Sequence, residues 1–242
     1  MARPKLARIL LKLSGEAFAG GVGFGLDPKT VNYIAQEVVA VHEQGVETAV
    51  VVGGGNFIRG ETFSKEGGME QSVADYMGML GTIMNALAVQ EAVEKLGVPT
   101  RVMSAVAVQA VCETFIRRRA LRHLEKRRLV VLAAGTGNPF FTTDTASVLR
   151  ALELQCEAII KATKVDGVYS SDPMRDPSAR RYETLTFDDA IGKQLGVMDQ
   201  TAFTMAREHS LPVIVLDIQQ AGAIAAAARG EDVGTLVSCA GN

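Results

Sequence analysis

The stretch from Arg128 to Asp144, RLVVLAAGTGNPFFTTD, leaves the chain few choices of fold. Leu129, Val130, Val131, Leu132, Ala133 and Ala134 form an apolar run too short for a helix core, and Gly135 closes it. A strand buried on both faces of a parallel sheet has this composition. Gly135, Gly137 and Asn138-Pro139 then forbid its continuation. Thr142, Thr143 and Asp144 stand before ASVLRALEL, which has helical spacing, so one of the three is expected as the N-cap. Strand, glycine-rich loop and helix N-terminus in succession make a place for anions, because backbone N–H groups and the helix dipole converge beyond the strand's carboxyl end.

Two further strands end in loops of the same kind. Ala7–Leu13 is apolar except for Lys12 near its end, and Ser14-Gly15 follows. Val46–Val52 runs straight into Gly53-Gly54-Gly55-Asn56, where unobstructed N–H groups can approach a phosphate oxygen. Arg59, four residues beyond Gly55, would add a fork of charged donors. Neither GxGxxG nor GxxxxGK[ST] occurs, so the usual Rossmann and P-loop readings lose ground.

Between and after these loops the chain alternates helix and strand. Asp27-Pro28 is expected to open a helix that Gly45 ends. Val73 to Gly97 reads as a long helix whose Val73, Met77, Leu80, Met84 and Leu87 make one apolar stripe, as core or subunit interface would require. Asp75 lies off that stripe. Pro99–Met103, Ala158–Ile160 and Pro212–Ile218 read as strands, with Thr235–Ser238 as a last edge strand. Phe187–Leu195, Val197–His209 and Ala221–Arg229 read as helices. The whole is α/β, one domain over residues 1–242, with several parallel strands and helices on both faces.

Charge and cysteine usage narrow the partners. Net charge is -2, with 21% charged residues, so no global field attracts nucleic acid. The basic segment Phe115–Arg128 lacks interleaved aromatics and reads as a solvated helix face. Cys112, Cys156 and Cys239 are odd in number and form no CxxC, which suits a reducing compartment. The opening MARPKLARILLKLSGEAFAG imitates a signal peptide, but Lys12 and Glu16 interrupt its apolar part, so it reads as the first strand. No apolar run approaches the roughly 20 residues that span a bilayer. A cytoplasmic protein without membrane or nucleic-acid partners is expected.

KLSGEA, VVGGGNFIRG, DYMGML, GTGNPFFTTD, KATKVDGVYSSDP and VMDQTAF, in this order and spacing, closely resemble the bacterial uridylate kinase (UMP kinase) family of the amino-acid-kinase fold group, from about residue 6 to 237. The resemblance implies a three-layer αβα sandwich with a mainly parallel central sheet. It also implies phosphoryl transfer from ATP to UMP in pyrimidine nucleotide biosynthesis, with Mg2+ as cofactor. Residues to about 150 would form the nucleoside-monophosphate side and residues 151–242 the ATP side. A phosphate monoester has its second pKa near ~6, so UMP arrives as a nucleophile needing no general base. None of the three histidines sits in a glycine loop. What the reaction needs is positive charge between two anions, which repel by roughly 4 kcal/mol per unit pair at 4 Å and an effective dielectric near 20.

Carried over by resemblance, Lys12 would neutralise the transferring group, with Leu13, Ser14 and Gly15 shaping the turn at ATP's phosphates. Gly54 would face UMP and Gly55 ATP, and Arg59 would hold phosphate. Asp75 would bind the ribose of UMP. Thr136, Gly137, Asn138, Pro139, Phe140, Phe141, Thr142 and Thr143 would cradle uracil and phosphate. Asp144 would engage magnesium or organise the lysines, and Asp199 would lie near the centre. Lys161, Thr163, Tyr169 and Asp172 would border the ATP nucleoside. Gly20, Gly21, Val22, Gly23, Phe24 and Gly25 match the segment tied to activation by GTP; inhibition by UTP and a homohexamer are expected with it. A small-carboxylate kinase of the same fold, or a nucleotide-dependent store for metal oxyanions, are the alternatives.

Overall fold

The computed structural model describes residues 5–58, 68–173, 175, 176 and 178–240. Its centre is β1 (Arg8–Leu13), whose side chains alternate between two apolar clusters. Ile9, Leu11 and Leu13 enter one cluster and Leu10 the other, so the two-residue period of a strand sends Lys12 to the Leu10 face. The same alternation runs through β2 (Glu47–Val52), β5 (Leu129–Ala133) and β6 (Ala158–Thr163). In β6 it puts Lys161 on the face of Ile159. Being buried on both faces, these strands read as continuous apolar runs.

With β3 (Thr100–Ser104), β4 (Glu113–Thr114), β9 (Thr184–Thr186), β10 (Val213–Asp217) and β11 (Thr235–Ser238), they form one sheet. The strand order among the described residues is β4-β3-β5-β2-β1-β6-β10-β11-β9, and of these pairs only β10–β11 is antiparallel. A short hairpin, β7 (Val168–Tyr169) with β8 (Arg181–Tyr182), stands apart. The first half of the chain builds one side of β1 and the second half the other, so the order reverses between β1 and β6. In open α/β sheets that reversal is where ligands bind.

Among the described residues, three helices cover one face: α1 (Pro28–Glu43), α2 (Gln71–Lys95) and α7 (Ala223–Ala228). Four cover the other: α3 (Arg117–Glu125), α4 (Thr143–Glu153), α5 (Phe187–Gly192) and α6 (Gln200–Glu208). The molecule is thus the expected three-layer α/β fold. Asp27 caps α1 by accepting from the Lys29 N–H, with Pro28 at its first position, and Gly45 follows its end at φ 81°.

Two expectations need correcting. Thr235–Ser238 is a strand but not an edge, because the three-residue β9 pairs with it in parallel and takes the edge. Of the two roles expected for the α2 stripe, core or subunit interface, the core role is corrected at Val73, Leu80 and Met84, which are about half exposed, whereas Leu87 packs against the buried cluster. The inward face carries Ala74, Ile83, Ala86, Val89 and Val93, small enough to let the helix lie close to the sheet.

Candidate active site

Lys12 and Lys161 are direct cross-strand neighbours in the β1–β6 register, at the carboxyl ends of their strands and on the same face. Both are buried. Two ammonium groups so placed repel each other unless a carboxylate intervenes, and Asp144 does so. Its Oδ1 lies 2.9 Å from Lys12 Nζ and its Oδ2 2.8 Å from Lys161 Nζ. Lys161 also donates to the Val197 carbonyl. Burial pushes the Asp144 carboxyl up, yet the two ammonium groups outweigh burial and hold it below the ordinary carboxylate value. Burial, and then the like charge of Lys12, press the Lys161 ammonium down against the pull of Asp144. Two cations and one anion leave the cluster at +1.

Asp144 is delivered by a helix start. Thr142 is the N-cap of α4, its hydroxyl accepting from the N–H groups of Asp144 and Thr145 at 3.1 Å. Asp199 caps α6 through the Ala202 N–H at 2.8 Å and receives the hydroxyls of Thr142 and Thr145. It therefore joins the N-termini of α4 and α6, and touches neither lysine's ammonium by hydrogen bond. No grouping of three or more acidic, histidine or cysteine ligands able to cage a metal occurs among the described residues.

Two cavities flank this cluster. The larger, about 880 Å³, is lined by Lys12, Ser14 and Lys161 together with Thr163, Tyr169 and Asp172, and the segment 193–197 closes it. Tyr169 is oriented by its hydroxyl donating to Asp166 at 2.6 Å. The smaller, about 270 Å³, is lined by Gly54, Gly55, Asp75, Thr136, Asn138, Phe141, Thr142 and Thr143 among others. Thr143, on its wall, is the residue before Asp144, so the charged cluster stands between the two spaces. Asp75 accepts from the Phe140 N–H at 2.8 Å and from Gln71, tying the Gly135–Thr142 loop to α2.

The turns that meet here fit only without side chains. A methyl group on Gly15 would collide with the backbone of Gly54 and Gly55, and one on Gly54 with the Gly78 carbonyl of α2. Leu13 is buried and its carbonyl accepts from the Gly53 N–H at 2.9 Å, so the β1 and β2 turns are stitched together.

Gly137, Pro139 and Phe140 belong to the same loop, with Phe140 largely exposed. The Gly20–Gly25 segment lies off both cavities: Gly20 and Gly21 border a third space with Lys29 and Tyr33, and Phe24 rests edge-on against Phe57. Arg59 lies outside the described residues. Sequence reasoning missed Arg150, which is buried, stacks on Phe115 at 4.1 Å and donates to the Gly135 carbonyl. It also missed Asn56 and Asn85; polar Thr82 and Asn85 three apart on the otherwise apolar face of α2 were the available signal.

The amino acid kinase family profile matches residues 7–217. A uridylate kinase of Dichelobacter nodosus is 54% identical over 235 residues, covering 97% of each chain. One of Cereibacter sphaeroides is 56% identical over 95% of this chain and 93% of its own. Among solved structures, UMP kinase from Bacillus anthracis superposes with a TM-score of 0.94 at 39% identity, over 98% of this chain and 97% of that one.

Proposed function

Because this chain belongs to the amino acid kinase family, we propose that it works there as a uridylate kinase, transferring the γ-phosphoryl group of ATP to UMP to give UDP and ADP. The observation that carries the reading is the Lys12–Asp144–Lys161 cluster standing between two cavities. The larger cavity, built mostly from residues after 160, takes ATP; the smaller, built from residues 54–143, takes UMP. The chain therefore divides into an acceptor side and an ATP side within one domain.

The acceptor phosphate, already a dianion, needs no base. Its approach to the γ-phosphoryl group needs charge fixed in advance, which the protein supplies without reorganising. Lys12 takes the transferring group's charge. Lys161, held by Asp144 and the Val197 carbonyl, is a fixed positive neighbour rather than a mobile one. Gly54 adds a backbone N–H at the acceptor side, and so does Gly55, which lines the smaller cavity and not the ATP cavity expected of it, while the N-terminus of α4 adds its dipole. Asp75 exchanges the Phe140 N–H for ribose hydroxyls, and Tyr169 and Asp172 border the ATP nucleoside.

Both Asp144 oxygens are engaged by lysines, and the described residues form no metal cage. Such a donor set fits Mg2+ carried on the phosphates, since Mg2+ keeps several waters and uses few protein ligands. Bound there, Mg2+ would neutralise charge on the β- and γ-oxygens. The reading extends to activation by GTP, inhibition by UTP and a homohexamer, to which the exposed α2 stripe would contribute. A cytoplasmic location goes with this reading, and no helix among the described residues is long and apolar enough to cross a membrane.

The test is ADP release with UMP set against CMP, dUMP and GMP. A marked preference for UMP is expected. Turnover with a small carboxylate and none with UMP would overturn the assignment.

A further inference from the structure

Asn56 and Asn85 face each other beneath the Gly53–Gly55 turn, and Asn85 is fully buried. Asn56 donates to Asn85 Oδ1 at 2.9 Å, and Asn85 donates back to Asn56 Oδ1 at 2.8 Å. Each side chain has one N–H left. Asn85 gives its own to the Gly53 carbonyl at 2.7 Å, and Asn56 gives its own to the Gly25 carbonyl at 2.7 Å. The Gly25 N–H returns to the Asn56 carbonyl at 2.9 Å. All four amide N–H groups are thus used, and three segments are joined: the loop 20–25, the turn 53–56 and helix α2. Neither asparagine lines the smaller cavity, whereas Gly54 and Gly55 do.

We propose that Asn56 and Asn85 form a positioning pair that sets the Gly53–Gly55 turn for the acceptor phosphate and couples that turn to the Gly20–Gly25 loop; this rests on the uridylate kinase reading. A buried hydrogen-bonded amide pair in a dry core holds one geometry, since leaving any of its members unpaired carries the full desolvation penalty. Without Asn85 the Gly53 carbonyl loses its donor and the turn can rotate its N–H groups away from the acceptor. Gly54 of that turn packs so closely on α2 that a methyl group there would collide with the Gly78 carbonyl. Neither asparagine lines the ATP cavity, most of whose lining lies beyond residue 160.

The experiment compares wild type with Asn85→Ala and Gly25→Pro, measuring UMP and ATP affinity separately by calorimetry, steady-state kinetics and melting temperature. Gly25→Pro removes the Gly25 N–H and cannot adopt φ 71°, yet it alters a largely exposed loop that touches neither flanking cavity. Expected is a loss of about tenfold in UMP affinity for Asn85→Ala, a change of about 1.4 kcal/mol, and a smaller loss for Gly25→Pro. ATP affinity and kcat at saturating UMP are expected to stay within about twofold, a split that follows from displaced binding groups rather than lost protein.

A merely structural role would lower kcat with the folded fraction and leave both affinities alone; that result, or equal losses for UMP and ATP, overturns the proposal. Should Asn85→Ala not fold, Gly25→Pro decides alone. Wild-type protein that binds no UMP overturns the underlying reading and the proposal with it. Wild-type binding with unchanged variants overturns the proposal only.

Discussion

Replacing Lys12 by alanine separates charge supply from acceptor binding. In the intact cluster two ammonium groups share one carboxylate, for a net +1; without Lys12 the Asp144–Lys161 pair is neutral. A unit charge about 3 Å from a phosphoryl oxygen interacts by roughly 5 kcal/mol per unit pair at an effective dielectric near 20. Much of that is already felt by bound ATP, so only the part that grows as charge moves toward the leaving and attacking oxygens reaches the barrier. Removal of one neutral preorganised donor from an oxyanion site costs about 10²–10³ in turnover. A full charge in a buried cluster belongs at or above the top of that range. We therefore expect kcat to fall by about three orders of magnitude. Asp144 keeps Lys161 as its partner, so no carboxylate is orphaned and the variant is expected to fold. UMP affinity by calorimetry should stay within about threefold, because the smaller cavity does not include Lys12. Coupled ADP release at saturating substrates reads the first quantity. Turnover within tenfold of wild type, or UMP affinity lost in parallel, would refute the assignment of Lys12.

Asp144→Asn leaves two buried like charges without their mediator, so the Lys161 ammonium, already depressed, should fall further and the alkaline limb of the kcat–pH profile should move to lower pH. Stability carries the opposite mark. The folded Asp144 carboxyl is depressed, so its contribution is present above the unfolded value of 3.8 and disappears as pH falls through the lower folded value. Wild type should therefore lose melting temperature in acid more steeply than Asp144→Asn. Asp75→Asn should raise the KM for UMP by about tenfold, as expected for loss of one charge-assisted hydrogen bond, with kcat little changed in steady-state assays. Leu80→Asp combined with Met84→Asp should shrink the assembly seen by light scattering; a monomeric wild type would remove the hexamer from the proposal.

Much of this architecture is legible in the chain because its signals are local. Asp27-Pro28 and Gly45 bound α1 through a side-chain cap and a positive φ, both decided within a few residues. The apolar runs of β1, β2, β5 and β6 announce strands covered on both faces. The Thr142 cap is one of the three residues the loop offered. The losses are non-local. Thr184–Thr186 is too short to show a period, so β9 is visible only through its pairing with β11, and the apparent edge moves one strand outward. The α2 stripe misleads as a core signal because Val73, Leu80 and Met84 face away from this chain's core, while the packed face is carried largely by Ala74, Ala86, Val89, Ala92 and Val93.

The site divides in the same way. Glycine turns advertise themselves one by one, but the partnership of Lys12 with Lys161 depends on β6 lying beside β1, although 149 positions separate them in sequence. That adjacency follows from the reversal of strand order, which no window of sequence contains. Once the register is set, the rest follows from electrostatics. Two buried ammonium groups side by side require an anion, and Asp144 is the carboxylate that the first turn of α4 brings between them. The loop RLVVLAAGTGNPFFTTD thus does two things at once: its glycines and threonines shape the smaller cavity, and its last residue holds the pair of cations beside it. A substitution that shifts the Thr142 cap should therefore disturb acceptor binding and lysine placement together, whereas Asp144→Asn disturbs the second alone. Thr142→Ala, compared with Asp144→Asn by UMP calorimetry, distinguishes them: UMP affinity is expected to fall in the first and hold in the second. Equal UMP affinity in both would show that the helix start and the charged cluster are independent.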